Sequence, residues 1–128
     1  MSIQLAFNDF RTRFPFCETV AFADLSTGMV LAADTRAKMA QEKLDILCEE
    51  AFQALAGRTS AAIAREFGES VEVSVSKCVV VTNSTVRVFV RAPEPAQEAL
   101  CIVLDSKCDV VEVLQAGCEL LDQIMVTT

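Results

Sequence analysis

The sequence predicts an α+β domain with the element order α-ββ-α-βββ-α, and three patterns carry that prediction. Apolar residues recur at helical spacing near the start, in the middle and at the end of the chain. Val71, Val73 and Val75 alternate with Glu72, Ser74 and Ser76, the period of a half-buried strand. Two further runs, Cys17 to Leu25 and Ala99 to Leu104, are small or apolar on both faces, as strands are when helices cover the sheet on each side.

The first helix follows from Ser2 as its cap and from Ile3, Phe7, Phe10 and Phe14, spaced by four, three and four residues. Pro15 disfavours helical geometry at Phe14 and ends the element. Cys17 to Leu25 is the first strand, with Val20 and Phe22 on one face and Ala21 and Ala23 on the other. Asp24-Leu-Ser-Thr-Gly28 supplies the turn: Gly28 can take positive φ, and Asp24 or Ser26 can bond turn amides. Met29 to Ala33 returns antiparallel, because so short a loop leaves no other option.

Asp34 and Thr35 are the caps predicted for the next helix, over Met39 to Leu55, which buries Leu44, Leu47, Cys48, Ala51, Phe52 and Leu55 and keeps Glu42, Lys43, Asp45, Glu49 and Glu50 off the stripe. The helical pattern resumes beyond Gly57 with Ala62, Ile63 and Phe67, as one helix kinked near Gly57-Arg58 or as two, and stops at Gly68. In the third strand the alternation loses phase at Lys77-Cys78 before Val79-Val-Val81, which a bulge at Ser76 to Cys78 would explain. A turn at Asn83-Ser84 leads to Val86, Val88 and Val90, alternating with Arg87, Phe89 and Arg91. Ala99 to Leu104 is the last strand. Ser106-Lys-Cys-Asp109 has capping-box spacing and opens a final helix with Val110, Val113, Leu114, Gly117, Cys118, Leu121 and Met125 on one stripe.

The chain has 128 residues, a length that fits a single domain over 1–128. Apolar residues at 52%, charged residues at 23%, four Gly and three Pro predict a compact, soluble domain and exclude disorder and low complexity. A net charge of −7, with scattered basic residues, repels a phosphate backbone, so nucleic acid and anionic membrane surfaces are poor candidates as partners. The N-terminus has no basic segment before an apolar run, and no run of about eighteen apolar residues occurs. The expectation is a cytoplasmic protein with no membrane insertion.

Cys17, Cys48, Cys78, Cys101, Cys108 and Cys118 lie in apolar stretches and read as buried small hydrophobes of a reducing compartment. There is no Cys-x-x-Cys and no histidine, so no metal site is expected and Cys-His and Ser-His-Asp chemistry is excluded. Asp24 and Asp34 bracket the first hairpin and could act as acid and base, but turn and cap roles explain both. No glycine-rich phosphate loop is present. The domain is expected to be no enzyme and to need no cofactor. A cysteine-based redox or metal-responsive sensor is the alternative function.

Val20 to Asp34 as strand, glycine turn and strand, the helix from about Arg36, the hairpin Val79 to Arg91, and Ala99 to Leu121 as last strand and helix together resemble the roadblock/LC7 family of profilin-like domains. The resemblance implies a five-stranded antiparallel sheet between a long helix on one face and the N- and C-terminal helices on the other. It implies a non-enzymatic scaffold or regulatory module that forms a homodimer by pairing the third strand with its mate beside the long helices. The matching interface positions are Val71, Val73, Val75, Lys77, Val79 and Val81 on the strand, and Leu44, Leu47 and Glu50 on the helix. The partner class it implies is a small Ras-like GTPase, or a protein of a motor or polarity complex. Strand chemistry agrees: a valine-rich edge without proline, guarded only by Glu72 and Lys77, is an aggregation hazard unless paired.

Overall fold

A computed structural model of the chain describes residues 2–36, 41–68 and 75–127. Four helices are present among them, α1 (Ile3–Arg13), α2 (Gln41–Leu55), α3 (Arg58–Glu66) and α4 (Val110–Thr127), with five strands, β1 (Cys17–Asp24), β2 (Met29–Thr35), β3 (Lys77–Val81), β4 (Thr85–Arg91) and β5 (Glu98–Asp105). The strands form one antiparallel sheet in the order β2-β1-β5-β4-β3.

The central place of β5 is what its unbroken apolar run demands. Leu100, Ile102 and Leu104 are fully buried on one side with Phe7 and Phe10 of α1 and Val113, Leu121 and Ile124 of α4. Ala99 and Cys101 face the other side, against Leu47, Ala51 and Leu55 of α2. The sheet thus lies between α1 and α4 on one face and α2 on the other, the layering the resemblance implies.

Local chemistry sets the ends of the elements. Ser2 Oγ accepts from Leu5 N–H at 3.1 Å and starts α1. Gly28 takes φ 73° in the first hairpin, and Asp24 Oδ1 accepts from Ser26 N–H at 2.9 Å and Ser26 Oγ–H at 2.6 Å. Asp34 and Thr35, expected as helix caps, are strand residues. Both belong to β2, and Asp34 pairs with Arg11 of α1 at 2.9 Å, tying the sheet edge to the first helix. The cap of α4 is Asp109 and not Ser106: its Oδ1 accepts from Glu112 N–H at 3.2 Å.

The middle helical stretch is two helices. Gln53 Oε1 accepts from Arg58 N–H at 3.0 Å, capping α3 from the last turn of α2, and a Cβ on Gly57 would stand 2.6 Å from that oxygen. Glycine is the residue that lets the side chain reach the break. The side of α3 that is buried is Ser60 and Ala64, whereas Ala62, Ile63 and Phe67, expected on a buried stripe, are exposed.

Candidate interaction surface

The two edges of the sheet differ. On β2 the pairing with β1 slips between Phe22 and Ala23, so that Ala32 pairs with Phe22 and Val30 with Ala23, leaving Leu31 as an extra residue. A bulge of this kind twists an edge away from further pairing. At the opposite edge β3 keeps unbroken register with β4 from Lys77↔Val90 to Val81↔Val86, and no strand lies beyond it among the described residues.

The expected loss of phase ahead of β3 is present. Val75 and Cys78 both pack with the α2-side core, three residues apart, where a regular strand would return to the same side after two. Val75 precedes the strand, and its N–H bonds Ser60 Oγ of α3 at 3.1 Å. After the slip Val79 packs with the α1/α4-side core, so Lys77, Val79 and Val81 share that side, while Cys78 and Val80 share the α2 side.

On the α2 side the surface is hollow. A groove of about 440 Å³ runs between α2 and β3, floored by Cys78, Val80 and Phe89 and walled by Ile46, Glu49, Gln53 and Ala54, with Thr59 at one end. Arg87 Nη1 bonds Glu50 Oε2 at 2.7 Å beside it, both side chains more than a third exposed. Past this ion pair a second hollow of about 220 Å³ is lined by Lys43, Ile46, Leu47 and Val103. Ile46 is 59% exposed and Val80 38%. Complete burial of such a side chain is worth about 1.5–3 kcal/mol, so much of that gain is still open to a partner that covers them.

The residues predicted for an interface are therefore divided. Val71 and Val73 lie outside the described residues. Lys77, Val79 and Val81 sit on β3 but face away from the groove. Glu50 lines it, and Leu44 is half-buried on α2. Leu47 is turned into the core at 7% exposure, with only its edge reaching the second hollow. Helical spacing does not single out Ile46, yet an isoleucine between Glu42, Asp45 and Glu49 on the polar face is the signal that points to it.

The thiols and the two hairpin aspartates do not make a reactive centre among the described residues. Burial pushes the Cys17 thiol up to about 12, and it raises Cys101, Cys48, Cys78 and Cys108 as well. A raised value means less thiolate at neutral pH, the opposite of what a reactive cysteine needs. With Cys17, Cys48 and Cys101 at most 2% exposed, native protein at pH 8 is expected to release these three thiols to a thiol reagent only after denaturant is added; counting thiols before and after checks this. Hydrogen bonds from Ser26 hold the Asp24 carboxyl below its usual range. Asp34 pairs opposite Val20, four residues along β1 from Asp24, which separates the two aspartates by roughly 13 Å, too far to share a substrate proton. Among the described residues no group of three or more His, Cys, Asp or Glu could hold a metal ion, and no helix is long and apolar enough to cross a membrane.

No protein-family model matches the sequence, and no curated protein does. Solved structures do. A roadblock/LC7 domain from Streptomyces avermitilis superposes with a TM-score of 0.74 at 14% identity, covering 94% of this chain and 92% of that one. The gliding protein MglB from Thermus thermophilus gives 0.72 at 18% identity, covering 92% and 82%. MglB from Myxococcus xanthus gives 0.72 at 12% identity over 98% and 96%. With the sheet order and the two helical layers in place, this near full-length agreement shows that the chain has the roadblock/LC7 fold.

Proposed function

We propose that the chain is a non-enzymatic scaffold or regulatory module of the roadblock/LC7 family, one cytoplasmic domain that acts as a homodimer. The observation that carries this reading is the asymmetry of the sheet: β2 is blunted by its bulge, while β3 is straight, valine-rich and flanked by an apolar groove. A second copy whose β3 pairs with this one continues the sheet and lays its α2 over the groove. A solved MglB described as having a tetrameric arrangement superposes with a TM-score of 0.73 at 18% identity, which makes self-assembly the first property to test.

Sedimentation at micromolar concentration is expected to give a dimer, and Val80→Asp is expected to give a monomer of unchanged fold, since a charge there is buried only in the dimer. A wild type that stays monomeric ends this reading. For the dimer, the partner class that the resemblance implies is a small Ras-like GTPase. Nucleotide release and hydrolysis by such GTPases from the same source, with and without the dimer, test that step: a rate unchanged at saturating dimer, with no complex on gel filtration, removes GTPases and leaves other proteins as partners.

A further inference from the structure

We infer that the second copy docks in a single register, with Val79 on the two-fold axis opposite its own mate; this rests on the homodimer proposed above. The backbone of β3 sets the register. Rungs of an antiparallel ladder alternate between residue pairs that exchange both hydrogen bonds and pairs that exchange none. Arg91 N–H bonds Ser76 O at 2.9 Å just before β3, and Thr82 N–H bonds Thr85 O at 2.9 Å just after it, both in line with the register from Lys77↔Val90 to Val81↔Val86. The bonded rungs to β4 are therefore those of Ser76, Cys78, Val80 and Thr82. Lys77, Val79 and Val81 lie on the rungs between, so their N–H and C=O groups point away from β4 to the open edge.

Those residues are what a mate can bond. A two-fold through Val79 pairs Lys77 with the partner's Val81, Val79 with the partner's Val79 and Val81 with the partner's Lys77, so every outward N–H and C=O of the strand finds a partner. The smallest slide that keeps each side chain on its own face is two residues. In one direction it sets Val81 against the partner's Val75, whose N–H already bonds Ser60 Oγ at 3.1 Å. In the other it sets Lys77 against the partner's Asn83, inside the turn that Thr82 closes on Thr85. Longer slides leave fewer bonds still, and one of them puts Lys77 opposite Lys77, like charges on one rung.

The side chains agree with the backbone. Val88 pairs with Val79 across β4 and β3, so on the α1/α4 side the two Val79 side chains join the two Val88 side chains in one row of β-branched residues, which suit a pleated surface. On the α2 side Cys78 stands opposite the partner's Val80, on a rung without hydrogen bonds. The row there runs Phe89, Cys78, the partner's Val80 and the partner's Arg87, and it joins the floors of the two grooves.

The test is disulfide trapping in the full chain, with sedimentation to establish the dimer. Opposite residues on a rung without hydrogen bonds have Cα atoms about 4.5 Å apart, within the span of a disulfide, whereas diagonal neighbours stand about 7–8 Å apart, beyond it. With oxidised glutathione as the oxidant, Val80→Cys is expected to run as a covalent dimer on a non-reducing gel, through bonds from position 80 of each copy to Cys78 of the other. Adding Cys78→Ser to Val80→Cys is expected to abolish that dimer, and the wild type is expected to form none through Cys78. A covalent dimer specific to Val80→Cys that persists with Cys78→Ser places the axis at Val80, and one formed by the wild type and lost in Cys78→Ser places it at Cys78; either result overturns the register and leaves the homodimer standing. Absence of a covalent link in Val80→Cys, when the wild type sediments as a dimer, overturns it as well. A wild type that is a strict monomer removes the homodimer and the register together.

Discussion

Phe89→Ala is expected to lower the unfolding free energy by about 3–5 kcal/mol and to weaken self-association at the same time. Phe89 is 1% exposed, the largest buried side chain of the α2-side core, and its ring also floors the groove between α2 and β3. Phe7→Ala removes an equally buried ring, 0% exposed, from the α1/α4-side core and should cost the same free energy. For a chain of 128 residues each variant should melt more than about 10 °C below wild type. Urea denaturation must compare them at one protein concentration, because dimerisation adds to apparent stability by mass action. The two substitutions part in the sedimentation cell: Phe89→Ala should raise the dimer dissociation constant and Phe7→Ala should not. Equal shifts for both would mean that association does not depend on the α2 face in particular, and a larger shift for Phe7→Ala would place it on the opposite face.

The strands were legible because period-two alternation and two-sided apolar runs report burial directly. Val86, Val88 and Val90 on one side of β4, with Arg87, Phe89 and Arg91 on the other, fall as their spacing predicts. Element ends were less so. Asp34 has the chemistry of a helix cap, but its pairing with Val20 of β1 makes it part of β2, where its carboxylate meets Arg11. Ser106 and Asp109 both satisfy capping rules, and the choice turns on where the chain leaves β5, with Asp105 Oδ1 already holding Lys107 N–H at 2.9 Å.

The interaction surface was legible as a place and not as a residue set. An unguarded valine-rich strand beside an amphipathic helix marks β3 and α2, but the slip at Ser76-Lys77 exchanges the faces, so the valine that lines the groove is Val80 rather than Val79 or Val81. The reversal of α3 has a similar cause. Helical spacing shows that Ile63 and Phe67 share a face, yet whether that face is covered by the chain itself depends on the turn at Gly57, and Ser60 and Ala64 are the residues turned inward.

Gly117 separates two effects that usually arrive together. It is buried in α4 where that helix crosses β5, and a Cβ built on it would lie 3.0 Å from Ile102 Cδ1 and 4.0 Å from Val90 Cγ2. In Gly117→Ala the helix gains about 1 kcal/mol of propensity, and the contact is with the far end of a flexible side chain, which can turn away for about 0.5–1.5 kcal/mol. The terms cancel, and stability should stay within about 1 kcal/mol of wild type. Gly117→Leu has the same propensity gain but must place three further carbons between α4 and two fully packed strands, where overpacking costs about 1–3 kcal/mol and more if the helix lifts from the sheet. Leucine should therefore lose stability where alanine does not, with the dimer dissociation constant unchanged in both, because the helix that moves lies across the sheet from the groove. A leucine variant as stable as wild type would show that α4 rides farther from β5 than a 3.0 Å approach allows.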